Sequence, residues 1–124
     1  MNGRYLLDTN AVIALLQNNP TLLTQLEAAE WVAISIVTYL EFLSFSNLDR
    51  HDRALFLEFA ARIDVLDLKI EQTSLIDRIL ELRSQNRLKL PDAIIAATSI
   101  EYAATLLTRD QQLLNQLNLT CQDF

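Results

Sequence analysis

Tyr5-Leu6-Leu7-Asp8-Thr9-Asn10-Ala11-Val12-Ile13-Ala14-Leu15-Leu16 holds two kinds of apolar pattern in twelve residues. Tyr5 to Leu7 is a short apolar run that stops at Asp8. Ala11 to Leu16 then takes on helical spacing that lasts until Asn18-Asn19-Pro20. The prediction is strand, sharp turn, helix, and the rest of the chain repeats it. Helices are predicted over Thr21–Ala29, Val37–Leu48, Arg53–Ile63, Ile70–Gln85, Asp92–Tyr102 and Gln111–Leu117. Strands are predicted over Trp31–Ile34, Asp64–Leu66 and Ala104–Leu107, with Leu119–Gln122 a candidate terminal strand. Asn47 to Asp52 reads as a polar connection. Leu75, Ile76, Ile79, Leu80 and Leu82 form one broad apolar face of the helix that ends at Gln85. Short strands alternating with helices give an α/β class, with a mostly parallel sheet of about four to five strands covered by helices. With no linker, repeat or low-complexity segment, residues 1–124 read as one domain.

The chain has 124 residues, of which 51% are hydrophobic and 21% charged, the balance of a globular protein with a real core. Its one cysteine, Cys121, forms no internal disulfide and reads as a small buried hydrophobe. Arg4 followed by Leu6 to Leu16 has the outline of a leader sequence, but Asp8 and Asn10 interrupt it and no small-residue cleavage pattern closes it. No window reaches the roughly 18 uninterrupted apolar residues of a membrane span. A cytoplasmic protein with no membrane contact is expected.

Sixteen acidic residues against ten basic ones give a net charge of −6. That argues against coating nucleic acid by bulk charge, but not against an acidic pocket that recruits cations and lets them meet phosphate. Gly3 is the only glycine, which excludes a glycine-rich phosphate cradle and a dinucleotide fingerprint. His51 is the only histidine, so two-histidine acid–base catalysis is excluded and a zinc site of His and Cys is disfavoured. Any chemistry here has to come from carboxylates.

Four carboxylates stand out, each with an innocent explanation. In an open parallel sheet, ligands bind beyond the carboxyl ends of the strands. Asp8 ends the first strand and Asp110 follows the strand at Thr105–Leu107, so both point to that edge. Taken singly, each is better explained as a helix N-cap. Asp92 follows Pro91 in the first turn of an almost wholly apolar helix, where proline and aspartate are ordinary. A helix that apolar must be central, which brings its N-terminus towards the sheet edge. Glu41 is flanked by Tyr39-Leu40 and Phe42-Leu43, and no helical face carrying it is clearly solvated. It either snorkels outward or needs a cation, a proton or hydrogen bonds. If the four converge, mutual repulsion raises their pKa values, and a hard divalent cation, Mg²⁺ or Mn²⁺, removes the conflict.

The segments Leu6-Leu7-Asp8-Thr9-Asn10, Val37-Thr38-Tyr39-Leu40-Glu41-Phe42-Leu43, Leu90-Pro91-Asp92-Ala93-Ile94-Ile95-Ala96-Ala97 and Leu106-Leu107-Thr108-Arg109-Asp110 resemble those of PIN-domain ribonucleases in order and spacing. Nearly the whole chain is covered, and its length and alternation are similar to the toxin half of VapBC-type toxin–antitoxin pairs. The resemblance implies a PIN-like fold, with Asp8, Glu41, Asp92 and Asp110 as the acidic catalytic and metal-site residues and Thr9, Asn10 and Thr108 orienting them. It implies hydrolysis of RNA phosphodiesters by metal-activated water, with Mg²⁺ or Mn²⁺ as cofactor. It also implies a homodimer restrained by a cognate antitoxin. Arg87, Lys89 and Arg109 are the cations nearest the motifs and the candidates for RNA contact; Arg87 and Lys89 equally suit helix-end charges complementing a dipole.

The chain departs from the family pattern in two places. Gln111-Gln112 stands where members often carry a further acid, which puts a second metal in doubt. Ser44-Phe45-Ser46 stands where many have a glycine after the glutamate helix. Two other readings remain: a PIN-fold binding module without catalysis, and a phosphatase using Asp8 as covalent nucleophile, against which Asn10 stands in place of a second aspartate.

Overall fold

In the computed structural model, which describes residues 3–116 and 120–124, five parallel strands form one sheet in the order β3-β2-β1-β4-β5. The strands are β1 (Arg4–Leu7), β2 (Trp31–Ser35), β3 (Asp64–Leu66), β4 (Thr105–Leu107) and β5 (Cys121–Gln122). Helices α1 (Thr9–Leu16) and α2 (Pro20–Glu27) link β1 to β2, and α3 (Ile36–Leu43) and α4 (Arg50–Ala61) link β2 to β3. The chain then crosses by α5 (Thr73–Gln85) and α6 (Leu90–Glu101) to β4, and by α7 (Gln111–Leu114) to β5. Every pairing among the described strands is parallel.

Residue alternation in the strands divides the core in two. Leu6, Ala33 and Leu106 point to one face and pack with Leu75, Ile79 and Leu82 of α5 and Ala93, Ala96 and Ala97 of α6. Their neighbours Leu7, Ile34 and Leu107 point to the other face, against α1, Phe42 of α3 and Phe56 of α4. Continuous apolar runs thus mark strands buried on both faces. Strand order reverses direction between β1 and β4, which makes their carboxyl ends the switch point where a site is expected.

Several predicted boundaries need correction. The third helix stops at Leu43 rather than Leu48, because Ser44 closes it: its N–H reaches Leu40 O and its hydroxyl reaches Glu41 O at 2.8 Å. This end needs no left-handed residue (Ser44 φ −92), so the missing glycine is accommodated. The next helix starts at Arg50, inside the supposed polar connection, because Asp49 caps it by accepting from Asp52 N at 2.7 Å. The helix expected from Ile70 begins at Thr73, and Ile70 itself is 80% exposed. On that helix Leu75, Ile79 and Leu82 are buried, whereas Leu80 faces outward. Helix α7 ends at Leu114, and the expected continuation to Leu117 and the strand start at Leu119 lie outside the described residues.

Candidate active site

The site begins where β1 stops. One residue beyond the paired Leu7, Ile34 and Leu107 come Asp8, Ser35 and Thr108, three polar side chains abreast and all buried. Asp8 is extended (φ −77, ψ 177), donates its N–H to Leu107 O at 3.2 Å and caps α1 by accepting from Ala11 N at 2.8 Å on Oδ1. Only 6% of Asp8 is exposed. Burial pushes its carboxyl above the ordinary carboxylate range; hydrogen bonds from the Thr108 side chain and Ala11 N work against this, and the charges of Asp110 and Asp92 add to it.

Asp110 stands two residues past Thr108 and caps α7, accepting from Gln112 N at 2.9 Å. Thr108 Oγ1 in turn accepts from Asp110 N at 3.0 Å, so one fully buried hydroxyl serves both aspartates. Asp92 is the third residue of α6, behind Leu90 and Pro91, and is half-buried. Its carboxyl is raised by burial first, then by Asp110 and Glu41, with Lys89 opposing. Glu41 projects from the middle of α3, a helix that packs against both α1 and α6, and its Oε1 accepts from Thr9 Oγ1 at 2.6 Å.

The four carboxylates are therefore linked through their charges at the switch point, Asp110 and Asp92 acting on Asp8 and Asp110 and Glu41 acting on Asp92. The capping explanation of Asp8 and Asp110 holds as geometry, and it uses one oxygen of each. Glu41 combines the two alternatives: it is half-buried, with Ser44 and Phe45 exposed one turn on, and it accepts the Thr9 hydrogen bond. Asp8 is the enclosed member of the set, since the sheet covers it on both sides.

Among the described residues, no three Asp, Glu, His or Cys side chains close on a common point as an all-protein ion cage would require. The donor set still fits Mg²⁺ or Mn²⁺, which are bound through one or two carboxylates and keep several waters. Two carboxyls whose ionised forms are disfavoured by burial and by each other are what a cation would relieve.

Of the other predicted residues, Asn10 is exposed on α1 and makes no side-chain hydrogen bond among the described residues. Arg109 lies 4.2 Å over the Phe124 ring and donates to Phe124 O at 3.1 Å, beside Asp123. Arg87 and Lys89 are exposed on the α5–α6 connection. Gln112 donates its side chain to Arg87 O at 3.3 Å, tying that connection to α7. Cys121 is half-buried, its thiol donating to Leu113 O and pushed up to about 11 by burial and then by Asp8.

Sequence reasoning missed Ser35 and Thr38. Ser35 caps α3 by accepting from Val37 N at 3.0 Å, and Thr38 is fully buried with no hydrogen-bond partner for Oγ1 among the described residues. Their signal was the three-residue spacing Ser35, Thr38, Glu41, which keeps all three near one side of the helix.

The model of the PIN domain family matches residues 5–117. Solved structures share the architecture over almost the whole chain. VapBC2 from Rickettsia felis, bound to a promoter DNA fragment, is similar at TM-score 0.82 and 21% identity, covering 98% of each chain. A toxin–antitoxin complex from Klebsiella pneumoniae is similar at TM-score 0.75 and 27% identity, covering 91% of this chain and 92% of that one. VapBC-1 from nontypeable Haemophilus influenzae is similar at TM-score 0.73 and 24% identity, covering 97% of each. Among curated proteins, none matches the sequence significantly.

Proposed function

The chain belongs to the PIN domain family, and from that premise we propose that it is a metal-dependent endoribonuclease of the VapC type, the toxin of a toxin–antitoxin pair. The observation that carries this reading is the gathering of Asp8, Glu41, Asp92 and Asp110 at the switch point, where burial and mutual repulsion disfavour the ionised forms of Asp8 and Asp92. Asp8 and Asp92, with Glu41 and Asp110 completing the acidic set, would hold the cation. Mg²⁺ or Mn²⁺ bound there would supply positive charge against a scissile phosphate and acidify a water at neutral pH.

The rest falls to the chain. Thr108 fixes Asp8 and Asp110 relative to each other, and Thr9 holds Glu41 towards the site. Glu41 and Asp110, with oxygens not used in those contacts, can take the proton released by an attacking water. An Asp8 nucleophile is disfavoured, because the carboxylate is buried and its Oδ1 is held by Ala11 N. A cognate antitoxin and a homodimeric, cytoplasmic state complete the proposal. Among the described residues no helix is long and apolar enough to cross a membrane. A groove beside α1, α3 and α4, with apolar walls that include Phe42, Phe45 and Leu55 and a polar edge of Gln17, Asn47 and Asp52, is a surface an antitoxin segment could cover.

The test is cleavage of single-stranded and structured RNA with Mg²⁺ or Mn²⁺, against EDTA and against Asp92→Asn. Metal-dependent cleavage lost in the variant is the expected result. Equal cleavage in all three would mean a contaminating nuclease. The second reading, a binding module without catalysis, is favoured by the open spacing of the carboxylates. RNA or protein binding without cleavage in any metal would select it. Toxicity on expression should disappear with Asp8→Ala, and toxicity that persists would sink the catalytic account of it.

A further inference from the structure

In a chain of net charge −6, the placing of free cations decides where a polyanion can lie. Arg62, Lys69, Arg78 and Arg109 face carboxylates, and Arg4 lies over Trp31. Arg50, Arg53, Arg83, Arg87 and Lys89 are exposed and form no ion pair among the described residues; Arg50 and Arg53 stand in the first turn of α4, whereas Arg83, Arg87 and Lys89 fall within seven residues of one another just before α6. Arg83 and Arg87 line an open groove of about 610 Å³ together with Leu80, Ser84 and Leu88, and Lys89 is the residue that follows Leu88. Leu88 is buried and forms its floor, while Leu80 is 56% exposed on its wall.

The connection that carries these cations is tied to the acidic site from both sides. Lys89 immediately precedes α6 and its charge acts on Asp92. Gln112, whose backbone N–H is capped by the Asp110 carboxylate, donates its side chain to Arg87 O. Arg83 holds the connection from below by donating to Leu88 O at 3.2 Å, and the side chains of Asn86 and Gln116 hydrogen-bond across it. Arg87 has φ +56, the left-handed conformation that glycine favours after a helix end. Ala103 adopts the same conformation after α6, so the conformation itself is no sign of function. It does provide a clean variant.

Resting on the nuclease reading, we infer that this groove is a subsite for a nucleotide flanking the cleaved bond, on single-stranded RNA that runs from the carboxylates over the α5–α6 connection. Arg87 and Lys89 take backbone phosphates, and an unpaired base lies against the exposed Leu80 beside the Arg83 guanidinium. A duplex presents no unpaired base to such a surface. Arg109, engaged with Phe124 and Asp123, is not part of the path.

The test is fluorescence polarisation of a labelled single-stranded oligoribonucleotide with the full chain in EDTA, where cleavage is silent, over a range of salt. Arg87→Gly and Lys89→Gln should each weaken binding by about three- to tenfold and lower the log–log salt slope by about 0.7 per lost phosphate contact. Arg53→Gln, on α4, should bind as the parent protein does. Arg87→Gly should not lower Tm, since glycine suits the position; a purely structural arginine would give lower Tm with unchanged RNA affinity. Variants that bind RNA with the parent affinity and slope overturn the subsite, as does a parent chain that binds no RNA. Variants that change self-association and leave RNA binding intact would assign the groove to a protein contact instead. Cleavage with Mg²⁺ is scored separately. Binding lost in the variants without any parent cleavage would sink the nuclease reading alone, and parent cleavage with indifferent variants would sink the subsite alone.

Discussion

Thr9 Oγ1 donates to Glu41 Oε1 across 2.6 Å and joins the first turn of α1 to the middle of α3. Thr9 follows Asp8, so the contact ties Glu41, whose charge acts on Asp92, to the turn that leaves β1. Charge-assisted hydrogen bonds of this kind orient a ligand, and their loss typically costs about 10- to 100-fold in metal affinity or activity. Thr9→Val should lower RNA cleavage on that scale with little change in Tm, and Thr9→Ser, which keeps the hydroxyl, should recover most of it. Equal rates in Val and Ser variants, measured at saturating Mg²⁺, would remove Glu41 positioning from the account.

Metal binding should be visible without turnover. A cation held by Asp8 and Asp92 binds the folded chain alone, and at 100 times its Kd stabilises it by about 2.7 kcal/mol. For a domain of this size that is a Tm increase of roughly 8–15 °C. The increase in Mg²⁺ or Mn²⁺ should be largely absent in Asp8→Asn and Asp92→Asn, as read by differential scanning calorimetry. A parent-sized increase in both variants would place the ion elsewhere.

Without metal, the same groups predict a dependence on pH. Asp8 and Asp92 both have folded pKa values above the ordinary carboxylate value, through burial first and like charges after it. The sign follows from linkage: the protonated form is favoured in the fold, so their contribution to stability is complete below the unfolded pKa and is lost as pH rises through the raised folded values. Asp92→Asn should therefore raise Tm relative to the parent chain in EDTA at about pH 7, and the gain should shrink towards zero near about pH 4. A variant less stable than the parent at neutral pH would contradict the shift of Asp92.

How much of this could be read from sequence depends on which residues carried the information. Leu6-Leu7, Ala33-Ile34 and Leu106-Leu107 were legible as strands because a parallel strand covered on both faces is apolar at consecutive positions. Asp8 and Asp110 were legible as a pair because each follows such a run. Helix ends were harder. Phe45 is apolar yet 40% exposed, and it carried the predicted third helix past its true end at Ser44, while the cap Asp49 was hidden in a polar stretch. The surroundings of Glu41 were legible only as two alternatives, because helical neighbours show which residues share a face and not what other elements lay against it. Ser35 and Thr38 passed unnoticed because buried hydroxyls have no apolar signature.

An aromatic cluster on Phe56 holds α3, and with it Glu41, in place. Phe42, adjacent to Glu41, stacks on Phe56 of α4 with ring centroids 4.2 Å apart and planes 14° apart. Tyr39, two residues before Glu41, meets the same ring at 5.5 Å. Phe56 is fully buried, so truncation leaves a cavity beneath both flanks of the glutamate. Phe56→Ala should cost about 3–5 kcal/mol, a large share of the 5–15 kcal/mol typical of a domain, with the m-value of urea unfolding unchanged. Phe56→Leu retains most of the volume and should cost roughly 1–1.5 kcal/mol. Because the cavity also loosens the helix that presents Glu41, cleavage by Phe56→Ala should fall further than its unfolded fraction accounts for. A specific activity equal to the parent's once corrected for that fraction would show that α1, α6 and the sheet hold α3 without Phe56.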